Sequence, residues 1–412
     1  MSFTAYLRQT QREIIPASFI DGTAREIVSL GDLGLVDSIA GGMPQGYNVE
    51  ADVLTRTADG RDLNDLWSEY QAVVAIHNER RNRLVNLLTF PVTNVIEDVP
   101  QMGGDDFEEA SEFGIPKAVR VQLNSFSLAY DFKWYDIRKA FTWKYLAEAD
   151  QRQTDAIHQS VLEADNRLVF KKVMQTLFRN TNRSATITGN NYTVYALYNA
   201  DGTVPPDYKS TTFDGTHSHY VTSGAATIDS GDVENLFLKL REHGYGETNG
   251  TTMILFANSA QTPAMRTWRA GVVNANGATA LYDFIPSIGS PTFITPNAQG
   301  LVGTQPPGTY QGMTVIGSYG PALIVEEDYV PAGYLVIVGT GGDGNLNNPV
   351  GIREHANTAL RGLRLMPGNQ ANYPLIDSFY GRGFGTGIRQ RGGAAVMQIT
   401  ASGTYTIPTQ YA

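Results

Sequence analysis

Cysteine is absent from all 412 residues. No disulfide framework, thiolate nucleophile or cysteine-liganded zinc is therefore open to this chain, and its strength has to come from packing or oligomerisation. A metal site would have to use histidine and carboxylate. Charge is sparse as well: Asp, Glu, Lys and Arg make up 17% of the chain, against roughly 25% in an average soluble domain. A low-charge, loop-rich surface suits a subunit that hides much of itself against neighbours. The formal net charge of −10 argues against nucleic acid as the main ligand, because phosphate affinity comes from neutralisation by Lys and Arg. No apolar run approaches the ~20 residues needed to cross a bilayer. Arg8, Arg12 and Glu13 interrupt the N-terminus before a signal-peptide core could form. The expected product is soluble and is not secreted by that route.

Catalytic signatures are missing too. No G-x-S-x-G elbow occurs, and the acidic runs Asp105-Asp106 and Glu326-Glu327-Asp328 read as solvated charge. The stretch "YLVIVGTGGDG", residues 334–344, spaces Gly339, Gly341 and Gly344 as a dinucleotide-binding turn does. Its continuation, "NLNNPVGIREH", carries three asparagines and Pro349 and cannot open the helix such a turn needs. The nearest following acid, Glu354, is only ten residues past Gly344, rather than the ~20 expected for a ribose contact. The glycines read as a loop at a strand end. His217 and His219 form an H-x-H pair near Asp214, a candidate metal half-site. With no third ligand at readable spacing, the pair reads as a solvent-facing or interface loop. No catalytic, cofactor-binding or metal-ligating set is assigned.

What is present supports packed cores: 42% hydrophobic and 10% aromatic residues. Residues 1–60 read as an extended arm with one short helix near Thr23 to Leu30. Leu63, Leu66, Trp67, Tyr70, Val73, Val74, Leu84, Leu87 and Leu88 follow one helical face, predicting a helix over about 62–88 that Pro91 ends. Two strand-like arms around an acidic tip then predict a long hairpin up to about Ile137. The strongest helix signal runs over about 147–179, with Ile157, Val161, Leu168, Val169, Val173, Met174 and Leu177 on one stripe. Residues 181–225 read as a β-rich insertion, the next segment as α/β, and everything after Pro291 as mainly short strands.

Two charge features stand out. Glu97, Asp98, Asp105, Asp106, Glu108, Glu109 and Glu112 crowd the hairpin with no basic residue among them. Arg353, Arg361, Arg364, Arg382, Arg389 and Arg391 make the C-terminal segment basic, opposed only by Glu354 and Asp377. Arginine presents a planar fork suited to carboxylates and interfaces. The expectation is a docking face: Arg361, Arg364, Arg382, Arg389 and Arg391 against the acidic hairpin of another subunit.

The order of arm, hairpin, long helix, α/β segment and final return strand resembles the major capsid proteins of tailed bacteriophages, which share the Hong Kong 97 fold. The wording is similar too, in "FKWYDIRKAFTWKYL", "EADNRLVFKKVMQTLF", "GMTVIGS", "IVEEDYVPAGYLVIVGT" and "LRLMPGNQANYPLIDSFYGRGFGTGIRQRGGAAVMQIT". The match covers about residue 90 to the end. It implies an α+β, Hong Kong 97-like capsid fold: an N-terminal arm over 1–90, an E-loop over 91–136, and a peripheral domain over 137–225 carrying the spine helix. An axial domain over 226–349 and a return to the peripheral domain over 350–412 would follow. The implied function is a structural, non-enzymatic shell protein, made in the host cytoplasm and placed in the virion. It would assemble with itself as hexamers and pentamers into an icosahedral head around double-stranded DNA. Scaffold, portal and decoration proteins are the further partners implied, with DNA touched only non-specifically and no membrane or cofactor involved. The arm is expected to be kept rather than removed as scaffold. Lys117 in the hairpin has no assignable asparagine partner, so a covalent inter-subunit link is not expected. The alternatives are an encapsulin-type compartment shell and a soluble nucleotide-binding α/β enzyme.

Overall fold

A computed structural model of the chain describes residues 56–79, 83–101, 124–187, 189–246, 250–288, 305–368 and 375–412. The helix expected near Thr23 to Leu30, the hairpin tip with Asp105, Asp106, Glu108, Glu109 and Glu112, and Lys117 lie outside those residues. The chain divides into two compact units. The smaller takes in the described residues up to Val73 with Arg138–Gln159 and Leu365–Phe379; the larger takes in Val74–Ile137, Ser160–Arg364 and Tyr380–Ala412.

Of the helix expected over 62–88, residues 80–82 lie outside the described residues, which show the helical stretches Leu63–Glu79 and Arg83–Leu88. Asp62 accepts the N–H of Asn64 at 2.9 Å and so caps the first of them. Pro91 does not end the second. That helix stops at Leu88, and Pro91 sits in the strand Thr89–Val92 at the edge of its sheet, where a missing N–H costs least. In the smaller unit Leu63, Leu66, Trp67 and Tyr70 recur at helical spacing and pack with Leu146, Leu375 and Ile376. Tyr70 donates to Asp155 at 2.8 Å and stacks on the His158 ring at 4.2 Å. Arg138 forks onto both carboxylate oxygens of Asp377, at 2.8 and 3.1 Å.

The larger unit is organised by an eight-stranded sheet. Its order is Thr309–Tyr310, Met313–Tyr319, Ala322–Glu326, Thr252–Ala257, Tyr334–Thr340, Ala394–Gln398 and Tyr220–Thr222, with Phe284–Pro286 pairing to Met313–Tyr319. Side chains alternate between two cores, as the period of two demands. Ile254, Phe256, Val336, Val338 and Val396 face one, which contains Val169, Phe170, Val173, Met174 and Leu177 of the long helix Gln151–Phe178. Met253, Leu255, Leu335, Ile337 and Met397 face the other, with Val233, Leu236, Phe237 and Leu240 of the helix Ser230–Arg241. Both faces are covered, so these strands are nearly all apolar. Strands Tyr220–Thr222 and Ala394–Gln398, which the resemblance would put in the peripheral domain, are hydrogen-bonded into this sheet beside Tyr334–Thr340.

The long helix, 28 residues and so ~42 Å at ~1.5 Å per residue, also buries polar side chains. Asp165 and Thr176 are 5% exposed. A second sheet begins Thr89–Val92, Val350–Glu354, Asp377–Ile388. The strand Asp377–Ile388 carries glycine at alternate positions, and they keep a lane clear. A Cβ on Gly383 would meet the Phe132 ring at 2.7 Å, and one on Gly387 the Tyr130 ring at 2.7 Å. One on Gly385 would lie 1.5 Å from the backbone oxygen of Asp131. Segment 129–134, the base of the hairpin, rests on that lane. The hairpin itself pairs Ile96–Gln101 with Asn124–Ala129, Glu97 opposite Leu128.

Candidate functional site

Where the hairpin base leaves the glycine lane, it forms one wall of a cleft of about 780 Å³. The other walls come from the C-terminal half of the long helix, the small hairpin Arg183–Ile187 with Asn190–Val194, and the strand Val350–Glu354. Five cations line it, Lys133, Lys172, Arg179, Arg183 and Arg353, against one carboxylate, Asp131. That carboxylate is already engaged: Arg183 donates to it at 2.5 Å and the Thr386 N–H at 2.6 Å. No ion pair joins Lys133, Lys172, Arg179 or Arg353 to a carboxylate among the described residues.

The local field shows the imbalance. Burial, then the neighbouring Lys133, Arg183 and Lys171 charges, hold the Lys172 ammonium below its ordinary pKa, with Asp131 opposing. Burial likewise lowers Arg353, whose guanidinium lies over the Phe132 ring at 5.1 Å. The buried Nε atoms of Arg179 and Arg353 have no hydrogen-bond partner. A cleft with unspent positive charge and unused donors is built for an anionic occupant.

The arginines expected to form a docking face are placed differently, and two of them correct the expectation. Arg382 is 8% exposed and Arg391 4%; both are inside the chain. Arg382 pairs with the buried Asp165, which also meets His77 at 3.0 Å. Arg391 donates to Asp201 at 2.8 Å, to Asn199 at 3.1 Å and to the Ala196 carbonyl at 2.9 Å, between the rings of Tyr195 and Tyr198. A guanidinium removed from water needs a partner within reach, and these found theirs in their own chain. Arg389 pairs with Glu97 of the hairpin at 2.8 Å, again within the chain, and Tyr130 donates to the other oxygen of Glu97 at 3.0 Å. Arg361 and Arg364 are only half-buried and donate to backbone carbonyls of His355, Ala356 and Thr358. Asp98 is exposed and accepts from Ser127.

The glycine stretch leads into the strand Val350–Glu354 and opens no helix. Asn348, fully buried, ties it down by donating to the carbonyls of Thr89 and Gly342, each at 2.9 Å, and accepting the Gly341 N–H at 3.2 Å. This is a structural clasp. The H-x-H pair also departs from its expected setting: His219 is fully buried, and His243, just past the helix Ser230–Arg241, brings a third imidazole to it.

No protein-family model matches the chain, and no curated protein does. Among solved structures, one from Mycobacterium phage Patience is 53% identical, covers 90% of this chain and 98% of its own, and superposes with a TM-score of 0.71. The mature capsid of bacteriophage PhiM1 is 9% identical over 78% of this chain and 88% of its own, with a TM-score of 0.44. The holo-SrpI encapsulin complex from Synechococcus elongatus is 12% identical over 81% and 97%, with a TM-score of 0.41. Likenesses as distant as the last two carry no argument.

Proposed function

The chain belongs to the major capsid proteins of tailed bacteriophages, shell proteins of the Hong Kong 97 fold, and on that premise we propose that it assembles as hexamers and pentamers into an icosahedral head enclosing double-stranded DNA. Residues 91–136 serve as the E-loop, laid over a neighbouring subunit. The segments 137–225 and 350–412 act as the peripheral domain and 226–349 as the axial domain. Scaffold, portal and decoration proteins are its further partners, and DNA meets the shell through non-specific contacts.

The single observation that carries this reading is the 53% identity over 90% of the chain with the phage structure. The charge distribution supports how copies meet. One segment, 97–112, holds seven carboxylates and no basic residue. One cleft, at Lys133, Lys172, Arg179, Arg183 and Arg353, holds five cations and one spent carboxylate. The carboxylates Asp98, Asp105, Asp106, Glu108, Glu109 and Glu112 of one copy enter the cleft of the next. Arg361 and Arg364 also serve the contact between copies. Charge complementarity of this kind fixes register and speeds encounter more than it adds affinity.

The test is electron microscopy, after size exclusion, of the full chain expressed alone and beside any scaffold encoded with it. Closed shells or capsomer rings are expected under at least one condition. A clean monomer or dimer under both contradicts the reading.

A further inference from the structure

Three imidazoles converge in the larger unit, at a place no role in shell assembly explains. His217 and His219 alternate along the approach to strand Tyr220–Thr222, and His243 follows the end of helix Ser230–Arg241. The Nε2 atoms of His217 and His243 are 3.0 Å apart, and those of His219 and His217 are 3.1 Å apart. Phe213 stacks on His243 at 4.5 Å, and Tyr198 stacks on it at 5.3 Å. A Cβ on residue 392 would lie 2.7 Å from the His243 ring, so Gly392 is what lets that ring enter.

The hydrogen count is the key observation. His219 Nδ1 lies 2.7 Å from the backbone oxygen of Ala394. A carbonyl only accepts, so Nδ1 carries a proton, and the neutral ring then presents a bare lone pair at Nε2 to the cluster. An imidazole nitrogen has one in-plane position, filled by a proton or by a lone pair. His217 Nε2 touches two other ring nitrogens, and one proton on it cannot point along both contacts. A second proton, on His243 Nε2, would face the first. The three nitrogens, all within 4.8 Å of one another, therefore hold more lone pairs than protons can satisfy.

We propose that His217, His219 and His243 form a three-imidazole site for a divalent transition-metal ion of the zinc class. Ligand nitrogens about 2.0–2.1 Å from a tetrahedral ion sit about 3.3 Å from one another, close to the 3.0 and 3.1 Å found. An all-imidazole donor set suits zinc, nickel, copper or cobalt and not magnesium or calcium. The Nδ1 bond from His219 to Ala394 is the outer contact that orients a metal-binding imidazole. Asp214 is not claimed as a fourth ligand, because one of its oxygens already accepts from the N–H and hydroxyl of Thr216 at 2.9 and 2.7 Å. Water takes the fourth position. Lys239 opposes a cation here, and Glu242 sits 3.8 Å from its ammonium to offset it. The ion would staple the loop before Tyr220 to the end of helix Ser230–Arg241 and, through Ala394, to strand Ala394–Gln398. A chain without cysteine gains a cross-link by this route.

The test uses the untagged full-length protein in its assembled form, stripped with EDTA and then titrated with Zn2+, Co2+ and Mg2+. The expected result is one Zn2+ or Co2+ per chain, a rise in melting temperature with Zn2+ and none with Mg2+. The half-buried ligands are varied singly, as His217→Gln and His243→Gln, and each should weaken binding by about 100-fold or more while leaving the circular dichroism spectrum unchanged. Wild-type protein that takes up no stoichiometric ion, or variants that bind as tightly as wild type, overturns the site. Should a variant fail to fold, the visible spectrum of the wild-type Co2+ complex decides. A four-coordinate, nitrogen-rich spectrum supports the site, and a six-coordinate aqueous-type spectrum refutes it.

Discussion

The strand Asp377–Ile388 with the turn after it, and the cleft at the hairpin base, are both rich in cations, and they use them in opposite ways. Arg382 and Arg391 are buried and paired with Asp165 and Asp201 of the same chain. The cleft's Lys133, Lys172, Arg179 and Arg353 have no carboxylate among the described residues, and two of its guanidinium nitrogens bond to nothing. A paired, buried charge stabilises one fold and has nothing left for a neighbour. Charge left unpaired at a half-open surface does little for the single chain and is available to another copy. Basic composition alone therefore does not mark an interface; what marks it is the missing counter-charge.

Breaking the buried pairs should hurt most. Asp165→Ala leaves Arg382 buried without its partner and is expected to cost about 3–5 kcal/mol in chemical denaturation. Asp98→Ala, on the exposed hairpin edge, should stay within about 0.5 kcal/mol. Equal losses in the two variants would erase the distinction. Next comes the lane beneath the hairpin base: Gly385→Ala puts a methyl against the Asp131 backbone and should cost about 1–3 kcal/mol, with poorer shell yield. Unchanged melting and yield would mean the base is not held there. Arg389→Gln breaks a half-exposed pair with Glu97 and should cost less than about 1 kcal/mol.

The smallest effect is a shift in the acid limb. Burial, the largest influence on Asp201, pushes its pKa up, yet hydrogen bonds from Asn182 and Thr203 and the Arg391 charge together hold it below its ordinary 3.8. A carboxyl depressed on folding contributes fully above its unfolded pKa and loses that contribution as pH falls through the folded value. Thermal melts of wild type should thus fall away below about pH 4, and those of Asp201→Asn should fall less steeply. Parallel acid limbs would remove Asp201 from the account.

Much of the element order was legible in the sequence, because periodicity is local. The long helix, the hairpin arms and the apolar strands all declare themselves within a dozen residues. What was not legible depends on partners far along the chain. Asp165 and Arg382 are 217 residues apart, and Asp201 and Arg391 are 190 apart. On the sequence they are a polar position in a helix and two surface-like arginines. The cleft's cations are scattered from 133 to 353 and form no run. His243 lies past a helix from His217 and His219, and nothing in the local sequence ties it to them; Gly392, whose missing Cβ admits the His243 ring, sits in the turn after strand Asp377–Ile388. Within the expected helix 62–88, Leu66 and Trp67 pack in one core and Leu84 and Leu87 in another, which apolar spacing alone does not show.

The most direct test is a charge swap read by electron microscopy. Lys172→Glu with Arg179→Glu should leave the melting temperature of the chain near wild type but abolish shells, or make them sensitive to salt. Adding Asp105→Lys with Asp106→Lys in the same chain should restore shells. Shells that form normally with the cleft reversed, or that stay absent after the compensating change while the chain remains folded, would contradict the claim that one copy's acidic hairpin fills the next copy's basic cleft.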